Sequence, residues 1–120
     1  GRLAYSVSTD GGQRFTPPRL LDLHGHPAVA QPLPDGRLLL VYGVRTEPHG
    51  VRARVLRPGS APGAVPLADG PEIVLRDDAP GPDTGYPWIA PLAAGRLAVA
   101  YYIADDHGIR GIEAQTLRFA

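Results

Sequence analysis

Arg45 and Arg52 lie on either side of a short polar segment that contains His49 and Gly50. A guanidinium stays charged at any relevant pH and can hold a carboxylate through two parallel hydrogen bonds. Either arginine is therefore a candidate to bind a carboxylate group. The alternative is structural, because either arginine could be a solvated edge residue or form a surface ion pair with Glu47.

His24 and His26 form an H-x-H pattern, and His49 follows in a later loop. In an extended segment, two such imidazoles point to the same side of the strand, as a metal site would require. The spacing fixes no third ligand, so we expect no metal or other cofactor. We instead predict that His26 either lines a channel or binds a ligand hydroxyl.

The composition excludes several classes of protein. The 12 basic residues, all arginine, balance 12 acidic residues, which leaves no basic surface field of the kind that non-specific nucleic-acid binding requires. No apolar run reaches the roughly 18 residues of a membrane-spanning helix. The chain has no cysteine, which excludes disulfides and a thiol nucleophile.

Two long segments of the chain repeat each other. The letters GRL at 36–38 recur at 95–97, and HGVR at 49–52 recurs as HGIR at 107–110. Short runs rich in Val, Ile, Leu and Tyr, separated by Gly, Pro and Asp, are typical of β-strands. They predict strands at about 27–32, 37–44, 51–57 and 72–76, then at 87–92, 96–103 and 109–118. Two further strands are predicted at 3–9 and 15–21.

A repeated unit of four antiparallel strands is typical of a β-propeller blade. The sequence therefore predicts an all-β fold, a partial β-propeller of about two to two and a half blades. Its divisions are the end of one blade (1–22), a complete blade (23–78) and an incomplete last blade (79–120). A propeller has 4–8 blades, so we expect the remaining blades outside this chain, and association through open edges if it is made alone.

Residues 8–15 read STDGGQRF, which matches S-x-D-x-G-x-x-F. The Ser8 and Asp10 side chains can accept hydrogen bonds from amides of the following turn. Gly12 permits a positive φ at low cost, and we expect Phe15 to pack against its blade. The segment resembles the Asp-box, or BNR repeat, of sialidases and related six-bladed propellers. Nearly the whole chain takes part in the resemblance, although Phe15 stands where the box usually has Trp.

The resemblance implies an activity and a set of site residues. Sialidases hold the substrate carboxylate with a cluster of arginines, and Arg52 matches one of them, with Arg45 as the competing candidate. Tyr86, at the start of a predicted strand, matches the nucleophilic tyrosine, although Pro87 follows it where Ser is common. A phenol has a pKa of about 10, so its attack needs a carboxylate base nearby. Sialidases are the tyrosine-nucleophile exception among retaining glycosidases.

Asp83 precedes Tyr86 in the segment DTGYP. It either orients Tyr86, binds a sugar hydroxyl or caps the turn as an Asx residue. The antiparallel order places Asp83, Tyr86 and both candidate arginines at one end of the blades, with the Asp-box at the other.

Two functions follow from the resemblance. The first is an exo-glycoside hydrolase that acts on terminal acidic sugars, for which this chain alone would be inactive. The alternative is a non-catalytic propeller that binds glycans or other partners. The resemblance also implies a secreted or periplasmic protein.

Overall fold

The computed structural model describes residues 1–61, 64 and 66–119, and every regular element in this part of the chain is a β-strand. The predicted all-β fold is therefore confirmed. The strands are β1 (Arg2–Tyr5), β2 (Arg19–His24), β3 (Ala28–Pro32), β4 (Leu38–Val44), β5 (Gly50–Arg57), β6 (Leu67–Ala68), β7 (Ile73–Arg76), β8 (Gly85–Pro91), β9 (Arg96–Ala104) and β10 (Arg110–Arg118).

The strands form three antiparallel sheets, none of which closes on itself. Sheet A contains β1 and β2, and sheet C contains β8, β9 and β10 in sequence order. Sheet B contains β3, β4 and β5, and β5 pairs along its free edge with both β6 and β7. The strands β3–β4–β5 of sheet B and β8–β9–β10 of sheet C are meanders, because short turns join segments of alternating hydrophobicity.

The first two strands differ from the prediction. β1 ends at Tyr5 and β2 begins at Arg19, so the strands predicted at 3–9 and 15–21 are displaced. The cause is a wide loop that takes up the residues between them. Across its base, the amide of Thr16 donates to the carbonyl of Val7 at 2.9 Å. The short strand β6, which pairs with the end of β5, is absent from the prediction because it lies in a segment rich in Pro, Gly and Ala.

Sheet B lies between the other two sheets, and a separate hydrophobic core fills each interface. Alternate residues of β4 face opposite ways, as the period of a strand requires. Leu40 and Tyr42 pack against Leu21 and Leu23 of sheet A. Leu39 and Val41 belong to the larger core shared with sheet C, whose contributions are Ile89, Leu97, Val99, Tyr101 and Ile103.

A polar network also crosses the interface between sheets B and C. Arg76 of β7 forms an ion pair with Glu113 of β10. Tyr101, only 1% exposed, donates its hydroxyl to Glu113 Oε2 at 2.9 Å. Gln115 Nε2 donates to the Tyr101 hydroxyl at 2.7 Å and to the Leu75 carbonyl at 2.9 Å. The Arg76 guanidinium, followed by the Tyr101 hydroxyl, lowers the pKa of Glu113, which keeps it a carboxylate that ties the two sheets together.

The strand register changes the relation between the two sequence repeats. Arg52 lies opposite Tyr42 in sheet B, whereas Glu113 lies opposite Tyr101 in sheet C. Matching HGVR to HGIR pairs Arg52 with Arg110 instead. The repeated motif therefore lies nearer the tip of the β9–β10 hairpin than of the β4–β5 hairpin. Residues that match in the two sequence repeats thus occupy different positions in the two sheets.

Candidate functional site

The loop between β1 and β2 has the turn chemistry that its sequence predicts. Asp10 Oδ1 accepts hydrogen bonds from the amides of Gln13 at 3.1 Å and Arg14 at 2.9 Å. Ser8 Oγ donates to Asp10 Oδ1 at 2.8 Å and accepts from the amide of Gly12 at 2.8 Å. The Arg14 amide, followed by the Ser8 hydroxyl, lowers the pKa of Asp10. Gly12 has a φ of 86°, a value that favours glycine.

Phe15 differs from its expected position. Its side chain is 63% exposed, so it does not pack against sheet A as its sequence predicts. The reason is that β2 begins only at Arg19, which leaves Phe15 in the loop.

At the opposite end of the sheets, Arg45 connects sheet B with the segment that enters sheet C. It follows β4, and its Nε donates to the carbonyl of His26 at 3.2 Å. Its Nη1 donates to the carbonyl of Pro82 at 3.1 Å. These bonds place the guanidinium carbon 5.8 Å from the centre of the Tyr86 ring, within the range of a cation–π contact.

Tyr86 stacks on Tyr102, with 5.5 Å between ring centroids and 25° between planes. The Tyr102 hydroxyl donates to Asp83 Oδ1, and Arg110 forms an ion pair with Asp83 Oδ2. We refer to Arg45, Asp83, Tyr86, Tyr102 and Arg110 as the rim cluster. Because Asp83 binds partners from β9 and β10, it fixes the ring on which Tyr86 stacks.

The charges of the rim cluster are set by these contacts. The Tyr102 hydroxyl, followed by the Arg110 guanidinium, lowers the pKa of Asp83. The same hydrogen bond to Asp83 raises the pKa of Tyr102. At neutral pH the pair is therefore a carboxylate and a neutral phenol, which leaves Asp83 engaged and unable to serve as a free base.

Tyr86 has an unusual backbone conformation. Its φ of 45° lies in the left-handed region, which bulky residues rarely adopt. The preceding Gly85 approaches β4 so closely that a Cβ there would lie 3.0 Å from the Cα of Gly43. The pairing of β8 with β9 is irregular between Gly85 and Trp88. Together these features hold the Tyr86 ring outward, 61% exposed; such strain is common at functional sites. In the described part of the chain, no carboxylate accepts a hydrogen bond from its hydroxyl.

Arg52 lies apart from the rim cluster and is only 6% exposed. Its Nη1 donates to the carbonyl of Arg76, and its Nη2 donates to the carbonyl of Pro48 at 3.2 Å. Its Nε lies 3.5 Å from Glu72 Oε1. Arg52 lines a cavity of about 310 Å³ beside Asp22 and His24, not the surface around Tyr86. A substrate-binding role for Arg52 stays a prediction that these contacts do not favour.

The structure thus brings together Arg45, Asp83 and Tyr86 of the predicted site residues. His26 is exposed and contributes its carbonyl to Arg45, while its amide donates to Gly43 at 2.8 Å. Sequence reasoning did not single out Tyr102 and Arg110. The available signal for Tyr102 was strand alternation, since its neighbour Tyr101 is a core residue and Tyr102 must face the other way.

The described residues lack the features of two other kinds of site. Across residues 1–61, 64 and 66–119, no three His, Asp or Glu side chains are grouped so that they could hold a metal ion. Within the same residues, no helix is long and apolar enough to cross a membrane.

Comparison with known proteins gives one informative similarity. No protein-family model and no curated protein matches this chain. A crystal structure of a protein of unknown function from Dyadobacter fermentans DSM 18053 is similar, with 39% sequence identity and a TM-score of 0.83. The match covers 99% of this chain but only 32% of that one, so the chain spans about a third of the length of its structural relative.

Proposed function

We propose that this chain forms two neighbouring blades, and part of a third, of a larger β-propeller. Three observations support this assignment. Antiparallel sheets stack face to face in chain order. Sheets B and C share sequence motifs, as the blades of a propeller do. The similar solved chain is about three times as long as this one, which is enough for further blades.

We further propose that the rim cluster binds a glycan with a carboxylate group, such as a terminal sialoside. The observation that carries this proposal is the position of the Arg45 guanidinium beside the exposed, stacked Tyr86 ring. Tyr102 stacks on the Tyr86 ring and the Arg45 guanidinium lies over it, so the exposed part of the Tyr86 ring is the apolar surface that would contact a sugar ring. Arg45 Nε and Nη1 already donate to carbonyls, and the remaining guanidinium protons would donate to the carboxylate. Both groups are held in place by backbone carbonyls and by Tyr102, so little ordering is needed when a ligand binds.

Removal of Arg45 tests the binding proposal. By calorimetry with the full-length protein, a sialylated trisaccharide should bind more tightly than lactose. Arg45→Ala should lower the affinity for the acidic sugar about tenfold to hundredfold, because a hydrogen bond to a charged group contributes about 1.5–3 kcal/mol. Affinity for lactose should change little.

The control is Arg57→Ala, which removes an exposed arginine paired with Asp69 at the far end of β5. It should leave both affinities unchanged. Equal affinity of the wild type for acidic and neutral sugars, or equal losses in the two variants, would show that Arg45 does not recognise a carboxylate.

A second candidate function is hydrolysis of the same sugar, with Tyr86 as the nucleophile. The left-handed backbone of Tyr86 favours it, because this strain holds the hydroxyl at an exposed position. The attacking phenol would need a base from outside the described residues, since Asp83 is engaged with Tyr102 and Arg110.

Tyr86→Phe separates the two functions. If the full-length protein is a hydrolase, this variant should lose turnover of a fluorogenic sialoside, while calorimetry still detects binding through the retained ring. Turnover equal to that of the wild type would remove Tyr86 from the mechanism. A wild type that binds the sialoside without turnover would identify a binding propeller.

A further inference from the structure

The interface between sheets A and B contains a polar cavity that is separate from the rim cluster. Its volume of about 310 Å³ lies at the lower end of the range for small-molecule pockets. Arg52 and Arg54 reach it from the same face of β5, because they are two residues apart in an extended strand. Glu72 lies beside them, and the end of β2 contributes Asp22 and His24. The remaining side chains of the lining are apolar.

The two carboxylates of the cavity already have partners. Glu72 Oε2 accepts a hydrogen bond from the Tyr42 hydroxyl at 2.6 Å. Glu72 Oε1 lies 3.5 Å from Arg52 Nε, so the charges of these two residues offset each other. On the other wall, Asp22 Oδ1 lies 3.9 Å from Nη2 of Arg2. Each acidic residue of the cavity is therefore matched by one arginine.

Arg54 is the cation of the cavity that has no such partner. Its Nε is buried and has no hydrogen-bond acceptor in the described part of the chain. Among the same residues, no carboxylate forms an ion pair with its guanidinium. A buried donor without an acceptor is unfavourable, and a positive charge in a cleft raises the local concentration of anions. The cavity therefore lacks one anionic acceptor, which a bound ligand would supply.

We propose that this cavity binds a small carboxylate that bears hydroxyl groups. The ligand carboxylate accepts hydrogen bonds from the planar guanidinium of Arg54. The Asp22 carboxylate and an imidazole nitrogen of His24 accept hydrogen bonds from the ligand hydroxyls. Asp22 and Glu72 repel a second negative charge, which disfavours a phosphate or a dicarboxylate. The site requires neither the propeller assignment nor the rim cluster, since all of its groups lie in sheets A and B.

Calorimetry with glucuronate tests the site in full-length protein that carries Arg45→Ala, so that the rim cluster lacks its proposed carboxylate-binding group. Glucuronate should bind this protein more tightly than glucose, which lacks the carboxylate, or acetate, which lacks the hydroxyls. Adding Arg54→Met should lower the affinity for glucuronate about tenfold to hundredfold, because it removes a charged hydrogen-bond donor. Adding Arg57→Met instead should leave the affinity unchanged, since Arg57 pairs with Asp69 at the far end of β5.

The melting temperature without ligand is an independent measurement of the same site. Arg54→Met replaces an unpaired guanidinium by an apolar side chain of similar length, so it should melt at or above the temperature of the wild type. Arg52→Met should melt below the wild type, because it leaves two backbone carbonyls without their donors. The opposite responses of two neighbouring arginines would separate a ligand-binding group from a structural one.

Two results would overturn the proposal. If glucuronate binds no more tightly than glucose or acetate, or if Arg54→Met and Arg57→Met change its affinity equally, the cavity does not hold a hydroxylated carboxylate. If Arg54→Met lowers the melting temperature as much as Arg52→Met does, a carboxylate from outside residues 1–120 already pairs with Arg54. Neither result bears on the rim cluster, whose failure would appear in the affinity of the sialylated trisaccharide for the Arg45→Ala variant.

Discussion

Replacing Tyr101 with alanine is expected to lower the free energy of unfolding by about 3–5 kcal/mol, the cost of removing a large buried aromatic ring. Tyr101 is 1% exposed and belongs to the core between sheets B and C. Its loss leaves a cavity and also removes a hydrogen-bond donor from Glu113 and an acceptor from Gln115. Both partners serve the contact between the sheets, so the damage is not confined to one strand.

Two further substitutions divide this effect into its parts. Tyr101→Phe keeps the ring and removes only the hydroxyl, and it should cost about 1–3 kcal/mol because it leaves polar partners unsatisfied. Tyr102→Ala removes the neighbouring ring, which faces outward, and should cost about 1 kcal/mol or less. Chemical denaturation of the full-length protein measures all three. Equal losses for Tyr101→Ala and Tyr102→Ala would show that the core between sheets B and C is not packed as described.

Arg52→Met is the second substitution with a large expected effect, a loss of about 3 kcal/mol of unfolding free energy. The guanidinium is buried and holds the carbonyls of Arg76 and Pro48. A methionine fills similar space but leaves these carbonyls without their donors, and Glu72 without its cation. Each unsatisfied buried carbonyl costs about 1–3 kcal/mol. Loss of the ion pair adds little, because the Glu72 side chain is 40% exposed and solvent screens its charge.

This substitution also decides between two roles for Arg52. If the residue is structural, Arg52→Met lowers the denaturation midpoint, and Arg52→Lys recovers only part of the loss because an ammonium cannot reproduce the planar fork. Arg57→Met, on the same strand with a side chain 68% exposed, should have almost no effect. If Arg52 instead holds a substrate carboxylate, Arg52→Met should weaken binding of the acidic sugar and leave the denaturation midpoint in place.

The two arginines that flank the His49 turn show why sequence reasoning could propose the site but not select its members. Arg45 and Arg52 are equivalent as residue types; Arg45 directly follows β4, and Arg52 lies near the start of β5. The tertiary structure separates them, because Arg45 follows β4 and turns towards the segment before β8, whereas Arg52 points into the cleft beside sheet A. Their partners are distant in sequence, so no local pattern could distinguish the two.

Local chemistry determined much of this protein from the sequence alone. Alternating apolar residues between Gly, Pro and Asp specify antiparallel strands, and Ser8 and Asp10 specify their turn, because these preferences act over a few residues. Only the tertiary structure decided that Phe15 stays exposed. It also decided that Glu113, and not Arg110, lies opposite the buried Tyr101. Finally, it showed that Tyr102 and Arg110 belong to the rim cluster. Those outcomes depend on loop length, strand register and the stacking of sheets, which arise from contacts between residues far apart in the chain.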